Sequence, residues 1–513
     1  MILPSGAVRP RPGASDWQPV LLKVPARLSR TISGWSPLLW RKWRLTTFTF
    51  LATFLVLQFL IPARMVISGM GAAGRPSAAV GCLLGFLWLV SAFRPRGLPR
   101  GSQPVRWVVG LFVGVQLLGH VVGFDRLPSP VEASAGTRWL IFVMSIAGVT
   151  LAVADGVVSR AALDRLLRTM VVLASMMSMV GILQYLRIVD LTSYIRLPGV
   201  QLNSDLIGVS SRGSEDFARV AGTATHYIEY GVVLALILPV ALHYAFFASP
   251  GGAKVWSWLL AGTVAFGIPL SISRSATLTL VVVLFLLAVV WPWRLRYNAL
   301  VIGVMGVVAF RAINPGVLGT IRALFANAEN DTSVTDRIAR TSYVIDLWQE
   351  RPWLGRGAGM VIPEEYILLD NQWYMTLLDG GVLGVLAMAL FFLVPYFMAR
   401  SIRLRGLDEE TRHLGQALAV TIPAAIMSAG TFDSFSFTTW VGVMSVLIGA
   451  IGALWRLDGT TVTRPLQLGV PSDSYVTTPL FAQARRRIRG AWSAAELRSR
   501  SSATTPSDGR GDS

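Results

Sequence analysis

Charged residues are scarce in this sequence. Asp, Glu, Lys and Arg make up only 14% of its 513 residues, whereas a soluble domain averages about 25%. The apolar residues, 53% of the chain, are gathered into runs of roughly 17 to 25, and each run could cross about 30 Å of hydrocarbon as a helix. The composition therefore excludes an ordinary water-soluble enzyme and predicts an all-α, polytopic membrane protein.

Cysteine and histidine are also rare. The single Cys82 lies in an apolar run, which excludes an intramolecular disulfide and a cysteine metal cluster. Because His120, His243 and His413 belong to different segments, we expect no metal-ligand set. The chain also has no Walker-type lysine loop, so ATP chemistry is not indicated. We expect the protein to need no metal and no other cofactor.

The apolar runs predict about twelve spans within a transmembrane domain of residues 45–456. A cytoplasmic segment, residues 1–44, precedes this domain, and a largely disordered basic tail, residues 457–513, follows it. The predicted spans are 45–61, 77–93, 106–124, 138–156, 169–186, 226–248, 255–272, 275–293, 297–313, 372–398, 413–431 and 438–456.

The distribution of Lys and Arg predicts the orientation of these spans. With both termini in the cytoplasm, the cytoplasmic segments have a net charge of about +20 and the outer segments about −2. Positive charge near span ends is retained on the cytoplasmic side. The formal charge of +18 therefore indicates topology, and we expect no nucleic-acid partner.

The basic tail has two interpretations. Phe481, Ala484, Ile488 and Trp492 recur at helical spacing beside a cluster of arginines. They could form an amphipathic helix on anionic inner-leaflet lipid, or they could belong to a solvated charge run.

A large outer loop, residues 314–371, separates the ninth and tenth predicted spans. Loops of this size are uncommon unless they contribute to a site or are disordered. The run Ser333-Val334-Thr335-Asp336 fits a helix start, and Val334, Ile338, Ile345 and Trp348 trace an apolar stripe before Pro352. We expect a short helix over the outer mouth of the bundle. The later run Gly355-Arg356-Gly357-Ala358-Gly359 could cradle a phosphate, but a turn is favoured because no strand precedes it.

Two arginines lie at predicted outer span ends on separate helices, Arg219 before the sixth span and Arg274 before the eighth. The guanidinium group stays charged and matches phosphate oxygens with a planar fork of donors, so the pair suits a diphosphate. Alternatively, both arginines reach to the interface or pair with Glu229 and other acids.

Asp370 has a similar pair of interpretations. It could accept a proton from a sugar hydroxyl as that hydroxyl attacks, or it could only complement the dipole of the helix that follows. Asp379 is nine residues further along, about 180° around a helix. These two carboxylates are therefore not expected to act as a glycosidase-like pair.

Four segments together resemble the superfamily of O-antigen ligases and Wzy-type O-antigen polymerases. They occur in that family's order, and the predicted topology places all of them on the outer face. They are Arg219-Val220-Ala221-Gly222-Thr223 with His226, Ser273-Arg274-Ser275, Pro352-Trp353-Leu354-Gly355-Arg356-Gly357, and Asp370-Asn371-Gln372-Trp373-Tyr374 continuing to Gly381-Val382-Leu383-Gly384.

The resemblance implies a GT-C-like membrane glycosyltransferase in the bacterial plasma membrane. Its donor would be an undecaprenyl-diphosphate-linked saccharide and its acceptor a glycan or glycolipid. Arg219 and Arg274 would bind the diphosphate, and Asp370 would act as the base. We also expect Asn371, His226, Arg337 and Arg340 to contact substrate.

One departure from the family bears on the reaction. Ligases of this family typically have His followed by Asn where this chain has Asp370 followed by Asn371. The change weakens a ligase assignment and favours a polymerase.

Two other classes of protein remain alternatives. Twelve spans with both ends inside also describe many transporters and flippases. A SEDS-like peptidoglycan polymerase also has a large outer loop and an outer carboxylate.

Overall fold

The computed structural model describes residues 46–94, 97–99, 101–202, 210–211, 218–313 and 332–462. The predicted N-terminal segment and the pattern in the basic tail lie outside these residues. The α-helices are α1 (Thr47–Leu60), α2 (Pro76–Ala92), α3 (Pro104–Gly123), α4 (Pro130–Gly156), α5 (Arg160–Tyr185), α6 (Tyr227–Phe246), α7 (Gly252–Leu270), α8 (Arg274–Val290), α9 (Trp293–Ile313), α10 (Thr332–Gln349), α11 (Gln372–Arg405), α12 (Glu409–Ala429) and α13 (Thr438–Val462).

The chain is a polytopic helical membrane protein. Each predicted span overlaps one α-helix, including the close pair α7 and α8, but α4 and α5 begin eight and nine residues before their predicted spans. Seven helices of the described residues are long and apolar enough to cross a membrane, and α1, α2 and α8 are shorter apolar helices. The long ones are α3, α4, α5, α6, α7, α11 and α13.

Two very short antiparallel ladders accompany the helices. Strand β1 (Met65–Val66) pairs with β2 (Gln201–Leu202), and β3 (Ser210–Ser211) pairs with β4 (Ala218–Arg219). Each strand has only two residues, so the ladders fasten loops together and do not form a sheet layer.

Helices α6 and α13 form the centre of the bundle. About 89% of the apolar window of α6 and 83% of that of α13 is buried, compared with 28% for the peripheral α7. A helix that is apolar all round is expected to be buried on every face. Gly231 of α6 permits close packing against α8, because a Cβ there would come within about 2.5 Å of the Ala276 Cβ.

Five loop segments contact one another at one end of the bundle, which is here called the loop end. They are 61–75, 124–129, 218–226, 350–371 and 430–437. For example, the Ala63 amide donates to the Thr223 carbonyl, and the Arg126 side chain donates to the Arg356 carbonyl. The opposite end has its own ion pairs, such as Arg106 with Asp155 at 2.8 Å.

Two of the histidines that belong to different segments meet in space. His243 of α6 and His413 of α12 meet near the opposite end, with their Nδ1 atoms 3.1 Å apart. Separation in sequence did not imply separation in space, because α6 and α12 pack side by side. No group of three or more potential metal ligands occurs among the described residues.

Helix α11 is broken at Gly381, whose φ of 59° and ψ of −158° are not helical. The break releases backbone amides, and because Gly381 is buried, leaving them unpaired would be costly. The Val382 amide donates to the Pro352 carbonyl at 2.9 Å, and the Leu383 amide donates to the Trp353 carbonyl at 3.1 Å.

The same loop also satisfies carbonyl groups before the break. The Arg356 amide donates to the Leu378 carbonyl at 2.8 Å, and the Gly357 amide donates to the Asp379 carbonyl at 3.0 Å. The Gly355–Gly359 run is thus a turn that packs against α11. Its three glycines have positive φ, and a Cβ at Gly355 would meet the α11 backbone at 2.5 Å.

The predicted helix of the large outer loop is present as α10, but its buried face differs from the predicted stripe. Val344 is buried and packs with Leu378 of α11, whereas Ile345 is 43% exposed. The side chains of Val334 and Ile338 lie outside the described residues. The buried face of α10 is determined by its contacts with the loop and with α11. The periodicity of the α10 sequence gives no information about those contacts.

We expect Gly381→Ala to destabilise the protein by about 2 kcal/mol or more, because Ala is strained at this φ and ψ. Its Cβ would also meet the Trp353 backbone at 2.4 Å. The neighbouring Gly380→Ala is the matched control, since its Cβ would meet nothing within 4 Å. The midpoints of thermal unfolding in detergent, monitored by size-exclusion chromatography, give the difference in stability between the two variants. Equal midpoints for both variants would contradict the assigned strain.

Candidate functional site

Arg219 is buried at the loop end, beside the start of α6. Its exposed fraction is 5%. Its Nη1 donates to the Tyr227 hydroxyl at 2.5 Å, and its guanidinium lies 4.5 Å from the centre of the Tyr227 ring. The phenol therefore fixes the position of the guanidinium.

The segment after Arg219 is held by two other helices. Gln184 of α5 exchanges two hydrogen bonds with the Gly222 backbone, at 2.8 and 3.1 Å, and the Thr223 hydroxyl donates to the Phe59 carbonyl at 2.6 Å. Gly222 has a φ of +56°, and a Cβ there would come within 2.8 Å of the Met177 carbonyl. Glycine is required at this position because of both the conformation and the close approach.

Two buried charged residues tie the loop end together. The Glu229 carboxylate accepts from the Thr225 amide at 2.7 Å and from the Thr439 amide at 2.6 Å. Arg75 is 1% exposed and donates to the hydroxyls of Thr438 at 2.6 Å and Thr439 at 3.0 Å. Since the Glu229 carboxylate accepts from backbone amides, it serves to join α6 to the start of α13.

His226 caps α6 next to Arg219. Its Nδ1 accepts from the Ile228 amide at 3.3 Å. Its ring lies 3.9 Å from that of Tyr227 and 6.0 Å from that of Phe437, between centres. The predicted substrate-binding histidine thus contacts the segment that leads into α13.

Arg274 is the first residue of α8 and is half-buried. Ser273 caps the helix by accepting from the Ala276 amide at 3.3 Å. The preceding Ile272 is buried with a φ of 44°, a conformation that costs a residue with a Cβ about 1–2 kcal/mol. Because Ala276 packs against Gly231 of α6, Arg274 lies at the same end of the bundle as Arg219.

Asp370 ends the large loop at the loop end. Its side chain is 46% exposed, and its Oδ2 lies 3.9 Å from Nη1 of Arg340. Arg340 also donates to the Leu368 carbonyl at 2.5 Å. Asn371 caps α11 by accepting from the Trp373 amide at 2.9 Å, so it has a structural role besides any role in binding. The side chain of Arg337 lies outside the described residues.

A cavity of about 260 Å³ opens beside Asp370. Its walls come from α3 and α4, from the loop that covers α11, from α11 itself, and from the segment before α13. The polar side chains among its lining residues are Gln116, Arg138, Gln372, Thr376, Asp379, Asp433 and Ser436. Arg219, Arg274 and Asp370 do not line the cavity, so the site has an arginine part and a cavity part.

The segment between α12 and α13 connects these two parts. The Gln372 amide donates to the Phe432 carbonyl at 3.3 Å, and the Gln372 side chain accepts from the Phe435 amide at 2.8 Å. The ring centres of Phe432 and Phe437 are 5.2 Å apart, and Phe437 in turn contacts His226. The starts of α6, α11 and α13 therefore meet here.

Asp433 is an acid of the cavity that the sequence reasoning missed. Burial raises its pKa to about 7; a bond with Ser436 opposes this shift, and the nearby charge of Asp370 adds to it. The available signal was an acid in a short connection between two apolar runs, a position where charge is costly and often functional. The sequence could not show which cavity that acid faces.

The large loop is held over the cavity by a chain of polar contacts from α4. Arg126 donates from Nε to the Arg356 carbonyl at 2.6 Å and pairs with Glu132 at 2.6 Å. The Tyr366 hydroxyl donates to Glu132 at 2.9 Å and accepts from Arg356 Nε at 3.2 Å. Burial raises the pKa of Tyr366, which keeps its hydroxyl a donor.

The fold and site define a multi-pass helical membrane protein with a loop-covered, acid-lined cavity at one end and with Arg219 and Arg274 at the same end. Residues 259–389 match the family described as O-antigen ligase. The match runs from α7 through the large loop to the middle of α11 and includes Arg274, Asp370 and Asn371. It confirms the resemblance to the O-antigen ligase and polymerase family over this segment. No curated protein matches the chain.

The pKa of Asp433 predicts a pH-dependent stability. The folded protein holds this proton up to about pH 7, whereas an unfolded Asp loses it near pH 4. Asp433 therefore stabilises the fold below about pH 4, and that contribution is lost as the pH rises to 7.

We expect Asp433→Asn to gain about 2–4 kcal/mol of stability relative to wild type between pH 4 and 7. Denaturation of both proteins in detergent across this range measures the gain. A constant difference at every pH would contradict the raised pKa.

Proposed function

We propose that the protein is a glycosyltransferase that acts at the outer face of the bacterial plasma membrane. It would transfer saccharide from an undecaprenyl-diphosphate-linked donor to an acceptor glycan. The observation that carries this proposal is the arrangement of the loop end, which holds buried Arg219, half-buried Arg274 and an acid-lined cavity. The O-antigen ligase match over residues 259–389 supports the same chemistry.

The proposed orientation places the loop end outside. Twelve spans with both termini in the cytoplasm leave the cytoplasmic segments strongly positive and the outer segments nearly neutral, as the positive-inside rule requires. The loop end would then face the compartment in which lipid-linked saccharides are assembled into longer glycans.

The two arginines would stabilise the leaving group. As the bond between the anomeric carbon and the diphosphate breaks, negative charge grows on the phosphate oxygens. Preorganised guanidinium groups offset that charge in the transition state. Arg219 is already oriented by Tyr227, and the Ser273 cap fixes the backbone at the start of α8, from which Arg274 extends. With two fixed cations in place, the reaction would need no metal ion.

Asp370 would accept the proton of the attacking hydroxyl. The acceptor oxygen forms a bond to the anomeric carbon, the diphosphate leaves with the bonding electrons, and the proton passes to the carboxylate. A single displacement of this kind inverts the anomeric configuration. Nη1 of Arg340, which lies 3.9 Å from the Asp370 Oδ2, would help to hold the carboxylate in position. His226, Asn371, Arg337 and Arg340 would surround the bound saccharide.

We favour a polymerase over a ligase. An aspartate replaces the histidine that ligases of the family typically carry at position 370, and the acceptor of a polymerase is another lipid-linked glycan. Asp370 and the two arginines would serve either reaction, so the identity of the product distinguishes a polymerase from a ligase.

Arg274→Ala and Asp370→Asn should each lower transfer at least 100-fold while leaving the protein folded, because each removes a group that acts in the transition state. Purified variants in liposomes with labelled lipid-linked oligosaccharide give the measurement. Arg196→Ala and Glu364→Gln are matched controls, since both side chains are exposed at the loop end.

The products of the wild-type protein test the reaction class. A ladder of longer chains indicates a polymerase, and transfer to a separate lipid indicates a ligase. Movement of the donor across the bilayer without covalent change, or full activity in both variants, would contradict the proposal.

A further inference from the structure

We infer that the wall of the cavity formed by Gln116, Arg138, Trp139 and Phe142 binds a sugar unit of the acceptor and selects its identity. The assignment of the bound sugar to the acceptor rests on the proposed function. The binding of a saccharide by this wall does not depend on it. Residues 116–142 lie outside the segment that matches the O-antigen ligase family, so the family match assigns no role to this wall.

Trp139 provides an aromatic surface held in a fixed orientation. Its indole Nε1 donates to Gln116 Oε1 at 2.8 Å. Behind it, Gly359 of the covering loop has a φ of +69°, and a Cβ there would come within 2.2 Å of the Trp139 Cβ. The ring is therefore fixed from α3 on one side and from the covering loop on another.

A second aromatic ring extends this surface. The centres of the Trp139 and Phe435 rings are 6.0 Å apart, with an angle of 30° between their planes. Both residues line the cavity. Phe435 is itself held by the bond from its amide to Gln372, so the two rings form a rigid apolar face.

Polar groups surround this face. Gln116 and Arg138 line the cavity on the α3 and α4 side, and Asp379 and Asp433 line it on the α11 and α13 side. The Arg138 Nη1 donates to Ser134 at 2.7 Å, which leaves further guanidinium donors that can reach a ligand. The cavity thus combines an apolar face with donors and acceptors around its edge.

Sugar rings match this combination of groups. A pyranose ring has an apolar face of C–H groups and a rim of hydroxyls that both donate and accept. Carboxylates accept from two hydroxyls, and amide and guanidinium groups satisfy hydroxyl lone pairs. A lipid chain would offer no hydrogen-bond partner to the remaining donor and acceptor atoms of these four side chains. The cavity, at about 260 Å³, is much larger than the site of a single water and suits one sugar unit.

Binding of a soluble saccharide tests the wall directly. The probe is the oligosaccharide released by mild acid from the host's own lipid-linked repeat units, titrated calorimetrically into the purified full-length protein without donor. We expect Trp139→Ala to weaken saccharide binding about 10-fold or more, whereas Trp139→Phe should retain most of the wild-type affinity. Gln116→Leu should also weaken binding, because the indole of Trp139 loses the bond that orients it. Trp107→Ala is the matched control, because Trp107 is 78% exposed on the same helix as Gln116.

Inhibition of transfer provides the second readout. The same oligosaccharide should inhibit the wild-type reaction by competing with the acceptor, and Trp139→Ala should raise the inhibition constant about 10-fold while leaving the KM for donor unchanged. Equal binding by wild type and Trp139→Ala would overturn the inference, as would loss of donor affinity alone. If the wild type binds the saccharide but transfers nothing, the proposed function fails and the binding site remains.

Discussion

The break in α11 is the constraint on which the site depends. A helix interrupted at a buried residue must find partners for the amides and carbonyls it releases, because unpaired buried backbone groups are costly. In this protein the loop of residues 352–361 supplies them, with bonds to both sides of Gly381. The loop is therefore fixed against α11. It also brings the Val361 amide to the Asp379 carboxylate at 3.0 Å, so the lid of the cavity and one of its acids are held by the same interactions.

Buried charge at the loop end is balanced by backbone groups and hydroxyls. Arg75 is fully enclosed and donates to hydroxyls and to backbone carbonyls of α1. Glu229 is fully enclosed and accepts three backbone amides. A buried charge with such partners is tolerated, whereas removal of one partner leaves the other uncompensated. These two residues keep the starts of α2, α6 and α13 together, and with them Arg219 and His226.

The sequence was sufficient for the helices and for the end of the bundle at which the predicted residues meet. Runs of apolar residues and cap signals such as Ser129 and Ser273 depend only on local chemistry. Arg219, Arg274 and Asp370 were predicted as site residues because charge beside an apolar run is costly and stands out. The cavity could not be predicted, since its walls come from residues more than 300 positions apart. The pairing of His243 with His413 and the buried face of α10 were missed for the same reason: packing between distant helices determines both.

The central claim is that the arginine part and the cavity part form one site at the outer face. The most direct test is a structure, determined by electron cryomicroscopy, of the purified protein in a lipid nanodisc with an undecaprenyl-diphosphate-linked saccharide. The account predicts density for the diphosphate between Arg219 and Arg274, with the saccharide extending toward Asp370 and the cavity. Density for the diphosphate at the opposite end, near the His243 and His413 pair, would contradict it.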